Sequence, residues 1–517
     1  MTHLFGTIRR SAQLAKMGWT ARKIRKTDGQ DRLKAQRALA ALLADARGIP
    51  MKIGQILAGT DTQSPYRKLV SGIKPLPLSE LQPSIEESLG RPLHEIFASF
   101  EESKAAASLG QVHFATLVDG TEVAVKVRYP DIVDAIEAEL KLIGLMPGVG
   151  PVKKWGFDLE GYKQNFAQNM KRELDYRSEA QRQAAFGQAL AHIEGLRIPK
   201  VYTELCTETL IVQEREHGIL LEQTGSWSRR DRLIIARTLL QTLLTSAFVY
   251  GEVHGDPHSG NAFYRHDESG NPVVVLLDFG CTVPVSKQRR LALLKLLLAC
   301  REGDALSPLR CFSAIGFDPK KLSYIDNVLP TLSRLILLPF LQKKPFHPKE
   351  WELGEQFKGI LGEQRWWFRT AGPPDFLLFM RAFQGLIHQI EQLDVRLPWW
   401  PFLERLLGEE LLQEARDFEL PELPEHIVHG LTGLDVIARS LRVTVFDDGA
   451  EKISLHMPAE AALDLQEIIP FEIIERIEQS QSADLQEITA KAKDSLLAPQ
   501  ELFFLQEETK QYRVWLE

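Results

Sequence analysis

Apolar and polar positions alternate along FASFEESKAAASLGQVHFATLVDGTEVAVKVRYP (97–130), around an Asp119-Gly120 turn. This period of two predicts a hairpin-rich sheet. The spacing is different on either side. Upstream, LKAQRALAALLADARGIPMKIGQILAG (33–59) has helical spacing before and after a Gly/Pro break, and PLPLSELQPSIEESLG (75–90) holds three prolines and a Ser-led helix start. Downstream, one long helical pattern covers 159–193, and RIPKVYTEL and TLIVQERE within 197–216 read as two short strands. DRLIIARTLLQTLLTSAFVYG (231–251) is helical again, and helices dominate from 287 onward. A last hairpin candidate, RVTVFDDGAEKISLHM (442–457), and acidic helices close the chain. A small β-rich lobe followed by a larger helical one is a two-lobed α+β order. It divides the chain into an N-terminal helical extension (1–90), a small lobe (91–215), a large lobe (216–415) and a C-terminal extension (416–517).

Composition narrows the classes. At 517 residues the chain exceeds what one core organises, and 44% apolar residues, 25% charged residues and a formal charge of −7 describe an ordinary globular protein. No global basic footprint for nucleic acid is present. Cys206, Cys281, Cys300 and Cys311 form no CxxC or other short metal spacing, so reduced thiols in a reducing compartment are expected. No run of about 18 uninterrupted apolar residues suggests a spanning helix, and no signal-peptide core appears. Charge is nevertheless uneven: residues 1–27 carry seven Lys/Arg and no acid, whereas 451–510 hold 13 Asp/Glu against five Lys/Arg. The basic stretch suits an interfacial helix, a solvated or internally paired helix, or an organellar presequence.

The chemistry concentrates in HGDPHSGN (254–261) and VVVLLDFG (273–280). Asp256 and Asn261 stand five apart in a Gly/Pro-rich loop and Asp278 ends an apolar run, a spacing that delivers one oxygen to a nucleophile and two to magnesium at a nucleotide phosphate. Lys126 lies upstream on VAVKV (123–127), opposite in facing to Val125 and Val127. Glu173, Asp175 and Glu179 on the following helix are its candidate partners. On a continuous helix Asp175 and Glu179 share a face and Glu173 lies about 200° from Asp175, so spacing leaves the partner open. His254 and His258 have an H-x3-H spacing, but Pro257 stands between them and no HExxH or third ligand accompanies them, so structural hydrogen bonding rather than zinc is expected.

KIGQ (52–55), AAASLGQVH (105–113), VAVKV (123–127), ELDYRSEA (173–180), HGDPHSGN (254–261) and LLDFG (276–280) follow one another in the order of the UbiB/ADCK (AarF-type) family of atypical kinase-like proteins, which the chain resembles over about 230 residues. The resemblance implies a two-lobed protein-kinase-like fold that binds ATP and Mg²⁺. On that pattern Lys52 and Gln55 belong to an extension folded over the place of a protein substrate, and Glu173 and Asp175 face its lysine. Glu179 pairs with Lys126, Asp256 is catalytic, and Asn261 and Asp278 are the magnesium ligands. Ala105, Ala106, Ala107 and Ser108 replace a glycine-rich loop, and they join Lys126, Gln213 and Glu214 in the nucleotide set. Alanine there narrows backbone freedom and stiffens the loop.

The family's context is isoprenoid-quinone or other membrane-lipid metabolism, with quinone-biosynthesis proteins or lipid as partners. It implies a cytoplasmic protein peripheral to the inner membrane, or an organellar one. The segment 60–80 departs from the family pattern, and residues after about 415 lie beyond it. A small-molecule kinase also suits HGD-x4-N with a downstream Asp, although KIGQ, AAAS and ELDY speak against it. A nucleotide-gated scaffold is the non-catalytic rival.

Overall fold

The computed structural model describes residues 75–140, 159–362, 365–424, 438–465 and 484–516, apart from isolated positions within them. Lys52, Gln55, Ala107, Ser108 and the basic stretch 1–27 lie outside the described residues.

The small lobe is an antiparallel sheet. Strands β1 (Phe97–Phe100), β3 (Gly110–Leu117), β4 (Glu122–Arg128) and β6 (Leu210–Glu214) lie in that order, and the short β2 (Ala105–Ala106) pairs with β3. Strands β3 and β4 meet at the expected turn: Thr121 N–H bonds the Asp119 carboxylate, and Gly120 adopts φ +90°, a region that glycine occupies without penalty. Alternation buries Val123, Val125 and Val127 on one face. Helix α1 (Leu78–Leu89), placed by sequence in the N-terminal extension, puts Leu81 and Ile85 into that same core and so packs as part of the small lobe.

The long helix expected over 159–193 is two helices, α2 (Leu159–Leu174) and α3 (Tyr176–Ala189). Asp175 interrupts them with extended backbone (φ −94°, ψ 92°), and its carboxylate accepts the Ser178 N–H as the α3 N-cap. Periodicity carries no mark of such a break, because a capping Asp on a helix surface is indistinguishable from a solvated one.

The large lobe is organised on α4 (Arg229–Leu244), which continues as a π-turn over Thr245–Tyr250. The combined helix is apolar and long enough to cross a bilayer by composition, with 56% of that window buried, and Ile235, Leu240 and Leu244 pack in the lobe core. Two small β elements follow: β7 (Glu252–His254) pairs with β10 (Thr282–Pro284), and β9 (Pro272–Leu276) lies between β8 (Ala262–His266) and the short β5 (Leu196–Arg197). Helices α5 (Lys287–Glu302), α6 (Phe376–Gln392) and α7 (Trp399–Asp417), with shorter helices between residues 308 and 371, pack into the lobe core. Trp399 and Trp400 are buried in it.

Beyond the large lobe, the described residues are mostly strand, where helices were expected. β11 (Ser440–Asp447) and β12 (Ala450–Pro458) form the anticipated hairpin, and β13 (Gln500–Glu507) and β14 (Lys510–Leu516) extend it, with α8 (Leu485–Asp494) as the described helix. The acids and the single lysine of 500–510 hide the strand alternation there, while Phe503, Val514 and Leu516 face a core that also holds Trp367.

Candidate functional site

Lys126 stands in the middle of β4, across from Val112 on β3 and Ile211 on β6. Its valine neighbours point into the lobe core, so its side chain points out of the sheet toward the second lobe. There Nζ donates to Glu179 Oε1 at 2.7 Å, lies 3.3 Å from Asp278 Oδ1, and sits 5.0 Å from the centroid of the Tyr176 ring. The break at Asp175 selects this partner, since restarting the helix there leaves Glu173 at the end of α2 and carries Glu179 into the first turn of α3. Glu179 is 2% exposed, and burial pushes its carboxyl up to about 7 against the opposing pull of Lys126. Burial favours loss of the Lys126 proton, but Asp278 and Glu179 outweigh it and hold the ammonium well above its ordinary range.

Arg182, one turn further along α3, donates to the carbonyls of Phe279 and Gly280 at 3.3 and 3.4 Å. The helix is thereby fixed to the DFG segment. Asp278 itself adopts φ +58°, and its Oδ1 accepts the Gly280 N–H at 3.2 Å. A Cβ at Gly280 would stand 3.2 Å from both Asp278 Oδ1 and Glu179 Oε2, so glycine leaves room for the two carboxylates to converge. Among the described residues, Glu179 Oε2 is buried without a hydrogen-bond partner.

The 254–261 loop is built by its backbone. His254 places Nε2 at 3.1 and 2.7 Å from the carbonyls of Leu277 and Asp278, which accept only, while its Nδ1 faces the Asp256 N–H. These partners put the ring hydrogen on Nε2, and burial holds the imidazole below its ordinary range, hence neutral. Asn261 Nδ2 donates to the Asp256 carbonyl at 3.0 Å, which turns the amide oxygen the other way, and the Leu277 N–H bonds the Asn261 carbonyl at 2.8 Å. His258 is exposed and accepts the Gly260 N–H. Both histidines thus serve the loop's hydrogen bonding.

Two supporting residues escaped sequence reasoning. Arg381 on α6 donates to Asp256 Oδ1, and Gln389 of the same helix donates to the Pro257 carbonyl while accepting the Tyr264 hydroxyl. A single Arg inside the apolar run FLLFMRAFQGLIHQ is the signal that marks such a contact.

The remaining candidates are more dispersed. Ala105 and Ala106 pair with Val112 and Gln111 at the sheet edge. Gln213 pairs with Ala124, and its Oε1 accepts from Gln183 at 2.7 Å. The Glu214 carboxylate is held by Arg197. The side chains of both are therefore committed to the structure beside the cleft. Glu173 is buried near the end of α2, and Asp175 caps α3.

As a test of fit for magnesium, Asn261 and Asp278 offer the hard oxygens that this ion takes. Among the described residues no cluster of three His, Cys, Asp or Glu side chains forms a metal cage, so phosphate and water oxygens would have to complete the coordination.

Residues 68–309 match the ABC1 atypical kinase-like domain. An ABC1 family protein of Schizosaccharomyces pombe is 30% identical over 345 residues, 64% of this chain and 62% of that protein. The atypical kinase COQ8B, mitochondrial, of Rattus norvegicus is 31% identical over 270 residues, 51% of each chain. A solved erythromycin complex of Rv3197 from Mycobacterium tuberculosis is 25% identical, covering 73% of this chain and 97% of that one at a TM-score of 0.48. The chain spans somewhat more than half the length of the curated relatives it matches. Residues 68–309 thus carry the ABC1 atypical kinase-like domain, and relatives named as an ABC1 family protein and an atypical kinase agree with the UbiB/ADCK (AarF-type) resemblance of the motifs.

Proposed function

We propose that the chain binds ATP with magnesium in the cleft between its lobes and turns it over, passing the terminal phosphoryl group to water or to a hydroxyl acceptor. The observation that best supports this reading is the meeting of Lys126, Glu179 and Asp278, from three distant stretches, within bonding distance at the mouth of the Asp256–Asn261 loop. An ammonium so placed presents a fixed cation to phosphate oxygens while Glu179 holds its direction. Asn261 and Asp278 would hold magnesium, which when bound neutralises charge on the phosphate oxygens. Asp256 orients the attacking water or hydroxyl, and the rate comes from positioning and electrostatics rather than from covalent chemistry.

The wider role proposed is support of isoprenoid-quinone or membrane-lipid metabolism, at a membrane surface reached through the basic stretch 1–27. Quinone-biosynthesis proteins or lipid would be the partners, and the site of action the cytoplasmic side of an inner membrane, with an organelle as the alternative. Relatives named as mitochondrial atypical kinases support the organellar alternative.

The deciding experiment incubates purified protein with Mg-ATP, with and without anionic vesicles, and follows phosphate release, labelled product and melting temperature. Magnesium-dependent nucleotide binding with phosphate release is expected. Binding without release would replace the ATPase by a nucleotide-gated scaffold, and no binding would remove the nucleotide reading altogether.

A further inference from the structure

Helix α6 belongs to the large lobe but lies beyond the matched residues 68–309, and it meets the Asp256–Asn261 loop along one face. Arg381, Gly385 and Gln389 are spaced four residues apart, which stacks them on successive turns of the same helix side. All three touch the dipeptide Asp256-Pro257. Arg381 donates to Asp256 Oδ1. A Cβ on Gly385 would lie 3.1 Å from Pro257 Cγ and 3.2 Å from its carbonyl oxygen, so the helix backbone already rests against the proline. Gln389 bonds the Pro257 carbonyl from beyond it, and is itself held by the buried Tyr264 hydroxyl at 2.8 Å. The contacts come from two polar side chains and one bare backbone position of a helix that is otherwise largely apolar, and they converge on a single peptide unit.

The Arg381–Asp256 bond decides how the carboxylate is presented. Asp256 is nearly buried, with its side chain 11% exposed, so its rotamer is set by neighbours rather than by solvent. Holding Oδ1 with a guanidinium leaves Oδ2 on the other side of the group, toward His258, whose Nε2 is 4.0 Å away. Fixing one oxygen of a carboxylate fixes the direction of the other.

We propose that Arg381 is a positioning residue for the phosphoryl-transfer reaction, supplied by a large-lobe helix beyond residues 68–309, that orients the Asp256 carboxylate toward the attacking water or hydroxyl. This rests on the nucleotide reading above. It differs from a purely structural role in what it controls: removing the guanidinium lets Asp256 rotate and slows the reaction step, while Lys126, Asn261 and Asp278, which take the nucleotide, keep their own partners. A misplacement of about 1 Å in such a group costs about 10²-fold in rate.

The test measures kcat, KM and Mg-ADP affinity for full-length wild type, Arg381→Ala, Arg381→Lys, Asp256→Asn and the Arg381→Ala/Asp256→Asn double variant. Arg381→Ala should lower kcat about 10²-fold, with nucleotide affinity and KM within about twofold of wild type. Arg381→Lys, which keeps the charge, should recover part of that loss. In the Asp256→Asn background the further loss on removing Arg381 should shrink to less than about threefold, because the group it orients is already gone. Should Arg381→Ala fail to fold, the folded lysine variant carries the same test through its split of kcat from KM. The inference is overturned if Arg381→Ala keeps the wild-type kcat, if affinity falls as far as kcat, or if the losses from Arg381 and Asp256 multiply independently. A wild type that binds no Mg-nucleotide overturns the function and this inference together, whereas an active wild type with an equally active Arg381→Ala overturns the inference alone.

Discussion

The two halves of the cleft are held in different ways. On the small-lobe side Lys126 is fixed by burial: an ammonium between Glu179 and Asp278, over the Tyr176 ring, is retained because each charge would be costly without the others. On the large-lobe side the Asp256–Asn261 loop is fixed by directed hydrogen bonds from His254, Asn261, Arg381 and Gln389, several of them to main-chain carbonyls. The first arrangement is electrostatically coupled, so removing one member disturbs all of them. The second is a set of separate struts, in which each loss should stay local.

That contrast can be broken most severely at Lys126. Lys126→Ala leaves Glu179 buried beside a second carboxylate, and should cost roughly 3–5 kcal/mol in denaturant unfolding besides abolishing Mg-ADP binding. A loss below about 1 kcal/mol would mean the cluster is not coupled. The next effect is a pH dependence. The folded state holds the Glu179 proton up to about 7, above its ordinary 4.5, so the native protein binds more protons than the unfolded one between those values. Stability therefore falls as pH rises through that window, by on the order of 3 kcal/mol, and Glu179→Gln should flatten the slope in urea titrations at successive pH values.

Asp278→Asn sharpens the comparison from the ligand side. Wild type at a hundredfold excess of Mg-ADP over Kd should gain about 2.7 kcal/mol, and the variant should lose that gain in a thermal melt. The smallest effect belongs to Asp175→Ala, which removes the α3 cap and should cost about 1 kcal/mol with little change in nucleotide affinity.

Much of the small-lobe side was legible in the chain. The period-two run over 97–130 and the order of Lys126, Asp256, Asn261 and Asp278 were visible because strand alternation and loop composition are local properties. Glu179 was named by the family resemblance and not by spacing, since a helical wheel assumes one continuous helix and Asp175 ends one and begins another. Arg381 was missed for a different reason. A lone Arg in an apolar run marks a buried contact, but it cannot name a partner 125 residues away in sequence. The terminal hairpin was obscured because Glu501, Glu507 and Lys510 on its strands read as a helical charge pattern until Phe503 and Val514 are seen to share a core.

Asp278 carries a further consequence, for mutational tolerance. Its left-handed backbone, φ +58°, is a region that glycine, asparagine and aspartate enter at low cost and that bulkier side chains resist. The carboxylate beside Lys126, in contrast, can be supplied only by aspartate or glutamate. Replacements that suit the backbone, Gly and Asn, discard the charge, and the replacement that keeps the charge, Glu, adds a methylene and strains the turn. Only aspartate satisfies both lists, so physics alone gives this position an alphabet of one letter, and no stepwise route of single changes can pass through it while the site keeps working.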